Sequence, residues 1–191
     1  MTPIEHFNEW FKEEQKKTKV RIPAACCLST IGLDGFPNAR FVSLKDIVDN
    51  NFIVTGPLSS RKGIEINIIN KVALTFWWAE TERQVRIQGN AMKIGEELAD
   101  KYFAERNRDS QIVSIVSDQG QEMDNIETLI KKYENLEFKF VNKPITRPGN
   151  WGGYMIDPTR IEFLDFKPTR FHIRNLYEII NGQWVMKQIQ P

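Results

Sequence analysis

From Ala24 onward the chain is cut into short apolar or alternating runs by tight-turn residues, a rhythm that points to β-structure. Ala24 to Thr30, Asn38 to Ile47 and Phe52 to Thr55 are separated by Asp34-Gly35 and Asp49-Asn50-Asn51, which reads as an antiparallel meander. Lys71 to Trp78 and Arg83 to Ile94 flank Ala79-Glu80-Thr81-Glu82 as a further pair of strands. Asn181-Gly182, between Leu176 to Ile180 and Gln183 to Met186, is a hairpin signal. Helical patterns are fewer. Thr2-Pro3-Ile4-Glu5 combines an N-cap threonine, a proline at the first helical position and a glutamate three after the cap, and Ile4, Phe7 and Phe11 continue at helical spacing toward Lys17. Ser59-Ser60 cap a short helix carrying Ile64 and Ile68, and Gly95 to Glu105 and Asn125 to Tyr133 are the remaining helices. Many short strands, few helices and frequent turns predict a mainly β fold, an antiparallel barrel with flanking helices.

A chain of 191 residues with 41% hydrophobic content can bury one substantial core. With no internal repeat, and with the Pro- and Gly-rich stretch Pro144 to Gly153 read as an ordered loop, it is expected to form a single domain over residues 1–191. A net charge of +1 offers no electrostatic track for nucleic acid or an acidic membrane, so anion binding must come from local clusters. Cys26 and Cys27 are adjacent on a strand and point to opposite faces, which disfavours a bond between them and fits a reducing compartment. The apolar run Val72 to Ala79 is too short to span a bilayer and the N-terminus does not resemble a signal peptide, so a cytoplasmic, soluble protein is expected.

Five clusters carry chemistry. Thr169-Arg170-Phe171-His172-Ile173-Arg174, read as a strand, sends Arg170, His172 and Arg174 to one face and Phe171 and Ile173 to the core. Such a face suits an anionic, conjugated ligand, and equally suits a solvated edge strand. Ser60-Arg61-Lys62 at a helix N-terminus reads as a phosphate cradle or as a cap followed by a basic turn. Arg40-Phe41-Val42-Ser43-Leu44-Lys45 begins and ends in a cation, and a regular strand puts Arg40 and Lys45 on opposite faces unless a bulge intervenes or the ligand lies between two chains. In Arg83 to Gln88, alternation puts Gln84, Arg86 and Gln88 on one side, where an amide matches a ring edge of alternating carbonyls and N–H groups. Tyr102, Arg106 and Ser110 share a face at i, i+4 and i+8 if the helix continues past Asn107, making a second phosphate site or, with Asp109 pairing the arginines, a surface cluster.

These motifs, with Glu82-Arg83-Gln84-Val85, Arg108-Asp109-Ser110-Gln111, Trp151-Gly152-Gly153 and Ile161-Glu162-Phe163, resemble in order and across nearly the whole chain the pyridoxine (pyridoxamine) 5′-phosphate oxidases. The resemblance implies a split β-barrel homodimer with FMN at the subunit interface. It implies that Arg40, Val42, Leu44, Lys45, Arg61, Lys62, Gln84, Gln119 and Arg174 bind the cofactor. Lys45, Tyr102, Arg106 and Ser110 would take the substrate phosphate, with Arg170 and His172 as catalytic residues against the pyridine ring. The implied reaction converts pyridoxamine or pyridoxine 5′-phosphate to pyridoxal 5′-phosphate, with O2 reduced to H2O2 and no metal. Other readings are a flavin oxidase of the phenazine-assembly type and a flavin- or vitamer-binding protein without turnover. The sequence departs from the family pattern at Thr55-Gly56 (commonly tyrosine-threonine), Gly120 (often serine), Leu164 (usually tryptophan) and Ile173 (usually aspartate).

Overall fold

The computed structural model describes residues 1–191. Eight antiparallel strands follow the order β3-β2-β1-β4-β5-β6-β7-β8, and a further pairing of β3 with β6 closes the first six into a barrel. They are β1 (Ala25–Ile31), β2 (Pro37–Val48), β3 (Asn51–Pro57), β4 (Lys71–Trp78), β5 (Arg83–Lys93), β6 (Trp151–Asp165), β7 (Ile173–Ile180) and β8 (Gln183–Ile189). Strand β6 does two jobs: Trp151 to Ile156 pair with β3, while Arg160 to Asp165 pair with β7. The turns form where the sequence places them. Asp49 and Asn50, and again Asn181 and Gly182, adopt positive φ, the backbone that a two-residue hairpin loop between twisted strands requires.

Helix α1 (Pro3–Lys17) starts with the expected capping box, in which Thr2 Oγ1 accepts from the Glu5 N–H and the Glu5 carboxylate accepts from the Thr2 N–H. Its buried stripe drives Phe7 into the barrel among Phe52, Phe76 and Trp78, at centroid distances of 5.0–5.5 Å. Full burial of such a side chain contributes about 2–3 kcal/mol, enough to fix the helix to the barrel. Helix α2 (Arg61–Ile68) follows β3; Ile66 faces the core, whereas Ile64 and Ile68 are exposed. Cys26 is buried and Cys27 half-buried, both as free thiols, and burial pushes the Cys26 thiol up to about 12. No helix is long and apolar enough to cross a membrane.

Two sequence expectations are corrected. The helix carrying Tyr102 does not run on: α3 (Glu96–Ala104) ends, and α4 (Arg108–Val116) begins afresh with Asn107 as N-cap, its Oδ1 accepting from the Ser110 N–H at 2.8 Å. A helix was therefore missed, and Tyr102, Arg106 and Ser110 lie on three different pieces of backbone. Helix α5 (Ile126–Lys139) also runs past the expected end at Tyr133. The second correction concerns Thr169 to Arg174, where only Ile173 and Arg174 are in strand β7. Arg170 has φ of 68°, and the His172 N–H turns back to its carbonyl at 2.9 Å, so the stretch is a turn. Phe171 is 80% exposed in the chain and anchors nothing in the core.

Candidate active site

A cleft of about 310 Å³ opens where β2, β3, α2, α4 and Trp151 meet. Each strand supplies part of one wall: Arg40 and Val42 from β2, Thr55 and Gly56 from β3. Lys62, on the first turn of α2, enters from the side; its Nζ donates to Ser60 Oγ at 3.0 Å and to Gln119 Oε1 at 2.9 Å. A Cβ on Gly56 would stand 3.5 Å from that ammonium, an ordinary contact distance. Arg106 closes the far side, its guanidinium 5.2 Å from the centre of the Trp151 ring.

Charge in this cleft is under-compensated. Burial, and after it the neighbouring Arg40 charge, pull the Lys62 ammonium below its ordinary pKa. Burial does the same to Arg106, whose Nε is buried without a hydrogen-bond partner. Three cations gathered with Ser43, Thr55, Ser114, Ser117 and Gln119 make a site whose cost is relieved by an anion with several acceptor oxygens. A phosphate ester fits this donor set. Its volume lies at the small end for ligand sites, room for a phosphate and a polar chain, so a fused ring system would extend beyond it.

Arg61 lies outside this cleft. Its Nε donates to Glu65 at 2.9 Å and its Nη2 to Asp34 at 3.0 Å, and these contacts, Glu65 first, raise its pKa. Ser60 caps α2 without a side-chain bond to the helix; its hydroxyl donates to the Pro57 carbonyl at 2.7 Å instead. The Ser60-Arg61-Lys62 trio therefore divides, with Lys62 toward the cleft and Arg61 toward two carboxylates. Arg40 is tied to the same Glu65 at 3.1 Å and to Thr30. Leu44 is a core residue whose N–H donates to the Ala24 carbonyl at 2.9 Å.

Of the two alternatives left open for Arg40 and Lys45, the strand does contain a bulge, because Leu44 pairs with Val54 and Asp46 with Ile53, leaving Lys45 unmatched. Its Nζ reaches Glu105 at 2.6 Å and lies 5.2 Å from the centre of the Tyr102 ring. Tyr102 is buried and donates to Asp46 at 3.0 Å; burial and that bond push its pKa up to about 12. Ser110 is half-buried at the start of α4, and its carbonyl accepts from Arg106 at 3.5 Å. Of the four residues assigned to the substrate phosphate, then, Arg106 shares the cleft with Arg40 and Lys62, while Lys45 and Tyr102 form a neighbouring cluster.

Gln84, Arg170, His172 and Arg174 do not line the cleft. They form a second patch at the far end of the sheet. Cross-strand register aligns Trp77, Gln84, Leu164 and Arg174 in one row across β4 to β7. Phe166 packs edge-on against Trp77 at 5.2 Å, and the His172 ring lies 4.8 Å from Phe166. His172 Nδ1 accepts from the Lys167 N–H at 3.0 Å, which leaves the proton of the neutral ring on Nε2. Arg174 donates to the buried Glu162 at 2.6 and 3.0 Å, whereas exposed Arg170 has no ion-pair partner in the chain.

Sequence reasoning missed Glu65 and Glu105, the carboxylates that hold these cations, Asp46, which accepts from Tyr102, and Ser114 and Ser117, which line the cleft. For the serines a signal existed, since Ser110, Ser114 and Ser117 recur at helical spacing.

Comparison with known proteins bears on the family and the fold. Residues 11–140 match the family model described as pyridoxamine 5′-phosphate oxidase, and residues 151–191 match the one described as the pyridoxine 5′-phosphate oxidase C-terminal dimerisation region. Over 189 residues the chain is 38% identical to the pyridoxine/pyridoxamine 5′-phosphate oxidase of Acaryochloris marina, covering 99% of this chain and 86% of that one. Identity to the protein of the same name from Rubrobacter xylanophilus is 39%, covering 99% and 87%. Among solved structures, PhzG from Burkholderia lata 383, in complex with tetrahydrophenazine-1-carboxylic acid, superposes with a TM-score of 0.93 at 29% identity, covering 99% of this chain and 92% of that one. A pyridoxamine 5′-phosphate oxidase-related, FMN binding protein from Nostoc punctiforme shares the fold, with a TM-score of 0.82 at 15% identity over 100% of this chain and 98% of that one. A closed six-stranded barrel with a C-terminal β extension, an anion-ready cleft, and sequence matches that span both parts of the chain lead to one assignment: the chain belongs to the pyridoxamine 5′-phosphate oxidase family.

Proposed function

We propose that the protein is an FMN-dependent oxidase that converts pyridoxamine or pyridoxine 5′-phosphate to pyridoxal 5′-phosphate. The observation that carries this reading is the under-compensated charge of Lys62 and Arg106 beside Arg40, a cradle suited to a phosphate ester in a chain of this family. Bound there, FMN would accept a hydride from the substrate C4′ and pass the electrons to O2, giving H2O2. Arg40, Lys62, Gln119 and the cleft hydroxyls hold the cofactor phosphate and its polar chain. The working unit is a homodimer in which the Gln84, Arg170, His172 and Arg174 patch of one protomer completes the cleft of its partner. Support for this comes from the dimerisation-region match, which spans three of those four residues. Arg170, free of internal partners, binds the substrate, and His172 offers Nε2–H to the pyridine ring while Lys167 fixes its orientation.

The likeness to PhzG favours a second reading, oxidation of a reduced phenazine carboxylate on the same scaffold. Anaerobic mixing of the FMN-loaded protein with pyridoxine 5′-phosphate separates the two. Bleaching of the flavin absorbance is expected, slowed more than tenfold in Arg170→Ala and His172→Ala with FMN still bound, a loss above about 1.4 kcal/mol. Bleaching by a dihydrophenazine carboxylate and not by pyridoxine 5′-phosphate would install the second reading. Bleaching by neither would leave a flavin-binding protein without turnover.

A further inference from the structure

The carboxylates facing the proposed substrate-phosphate residues have no part in that mechanism. Glu105 caps the C-terminus of α3, directly precedes Arg106, and accepts from Lys45 at 2.6 Å. Their side chains are 44% and 29% exposed, so water competes for both partners and the pair opens at small cost. A phosphate dianion, with several acceptor oxygens and a second charge, is a stronger partner for an ammonium than one carboxylate.

We propose that Glu105 is a specificity-determining residue that occupies Lys45 between turnovers and weakens the hold on phosphate-bearing ligands. This rests on the reading of Lys45 as a substrate-phosphate residue. The phosphate is remote from C4′ and unchanged by the reaction, so substrate and product share it, and affinity for it is uniform binding that also retains the product. A carboxylate that competes for Lys45, and repels the phosphate once displaced, lowers both affinities together. It hastens departure of pyridoxal 5′-phosphate without acting at the reacting carbon.

The test is the affinity of FMN-loaded protein for pyridoxal 5′-phosphate and for unphosphorylated pyridoxal, measured by equilibrium dialysis in wild type, Glu105→Gln, Lys45→Met and the double variant. Glu105→Gln should bind pyridoxal 5′-phosphate roughly three- to fivefold more tightly, with pyridoxal unchanged. Stopped-flow release of pyridoxal 5′-phosphate should slow by a similar factor, and the gain should vanish when Lys45 is also replaced. Equal or weaker binding in Glu105→Gln, with a loss in Lys45→Met, would overturn the proposal and leave Lys45 in the phosphate site. No loss in Lys45→Met would remove the underlying assignment and the proposal with it. A gain that survives in the double variant would also overturn it, since the carboxylate would then act on another group.

Discussion

Glu65 and Glu105 both hold cations at the candidate site, yet their settings differ. Glu65 is 1% exposed and accepts from Thr30, Asn38, Arg40 and Arg61. Glu105 is 44% exposed and accepts from Lys45 alone. A buried carboxylate with four donors belongs to the scaffold, because opening it strands a desolvated charge. An exposed pair exchanges its partner readily. Arg40 is thus held in a fixed position on the proposed cofactor side, while Lys45 on the proposed substrate side is held exchangeably. An enzyme that keeps one phosphate-bearing ligand and turns over another needs that asymmetry.

The largest effect that would break this contrast is on stability. Glu65→Gln should lower the unfolding free energy by about 2–3 kcal/mol, since Arg40 loses its charged partner in a partly buried setting. Glu105→Gln should stay within about 0.5 kcal/mol of wild type. Urea denaturation of the two variants checks this, and equal losses would erase the distinction.

A second prediction sharpens the division within Ser60-Arg61-Lys62. Lys62→Met should weaken FMN binding by roughly tenfold or more, the loss of a charge-assisted bond of about 1.5–3 kcal/mol. Arg61→Met should cost less, because that guanidinium is engaged by Glu65 and Asp34. Quenching of FMN fluorescence on titration with apoprotein measures both. An equal or greater loss in Arg61→Met would mean that Arg61 leaves its carboxylates for the cofactor.

The smallest effect is in acid. Burial alone would raise the Glu65 carboxyl, but hydrogen bonds from Thr30, Arg61 and Arg40 outweigh it and hold its pKa below the usual range. A depressed folded-state pKa adds stability that is present above the unfolded carboxyl value, about 4.3, and is lost as pH falls through the folded value. Between pH 5 and pH 3 wild type should therefore lose more stability than Glu65→Gln. Parallel melting curves for the two proteins across that window would show that Glu65 carries no such linkage.

Local signals made the barrel legible. The Thr2 capping box, the Asp49-Asn50 and Asn181-Gly182 turns and the alternation of β5 depend on neighbours in sequence, and the structure places each where the chain indicates. The break between α3 and α4 was legible too but was passed over, since Asn107 three residues before Ser110 is an N-cap signal inside what reads as one helix. Pro168, two residues before Arg170, likewise argued for a turn over a strand. What local pattern does not carry is who faces whom. Lys45 meets Glu105 across 60 positions, Tyr102 meets Asp46 across 56, and Arg40 meets Glu65 across 25. Those partners decide which cations are free to meet a ligand, and only the closed barrel assembles them.

The double duty of β6 also sets the order of events during synthesis. Phe52 pairs with Ile156 and Pro57 with Trp151, partners that emerge roughly a hundred residues later, so the seam between β3 and β6 closes only when most of the chain is made. Until then the β3 edge, with Phe52, Ile53 and Val54, has no strand to cover it. A nascent chain stalled before Trp151 carries an open, apolar sheet edge, the form most prone to pair with another copy or to need a chaperone.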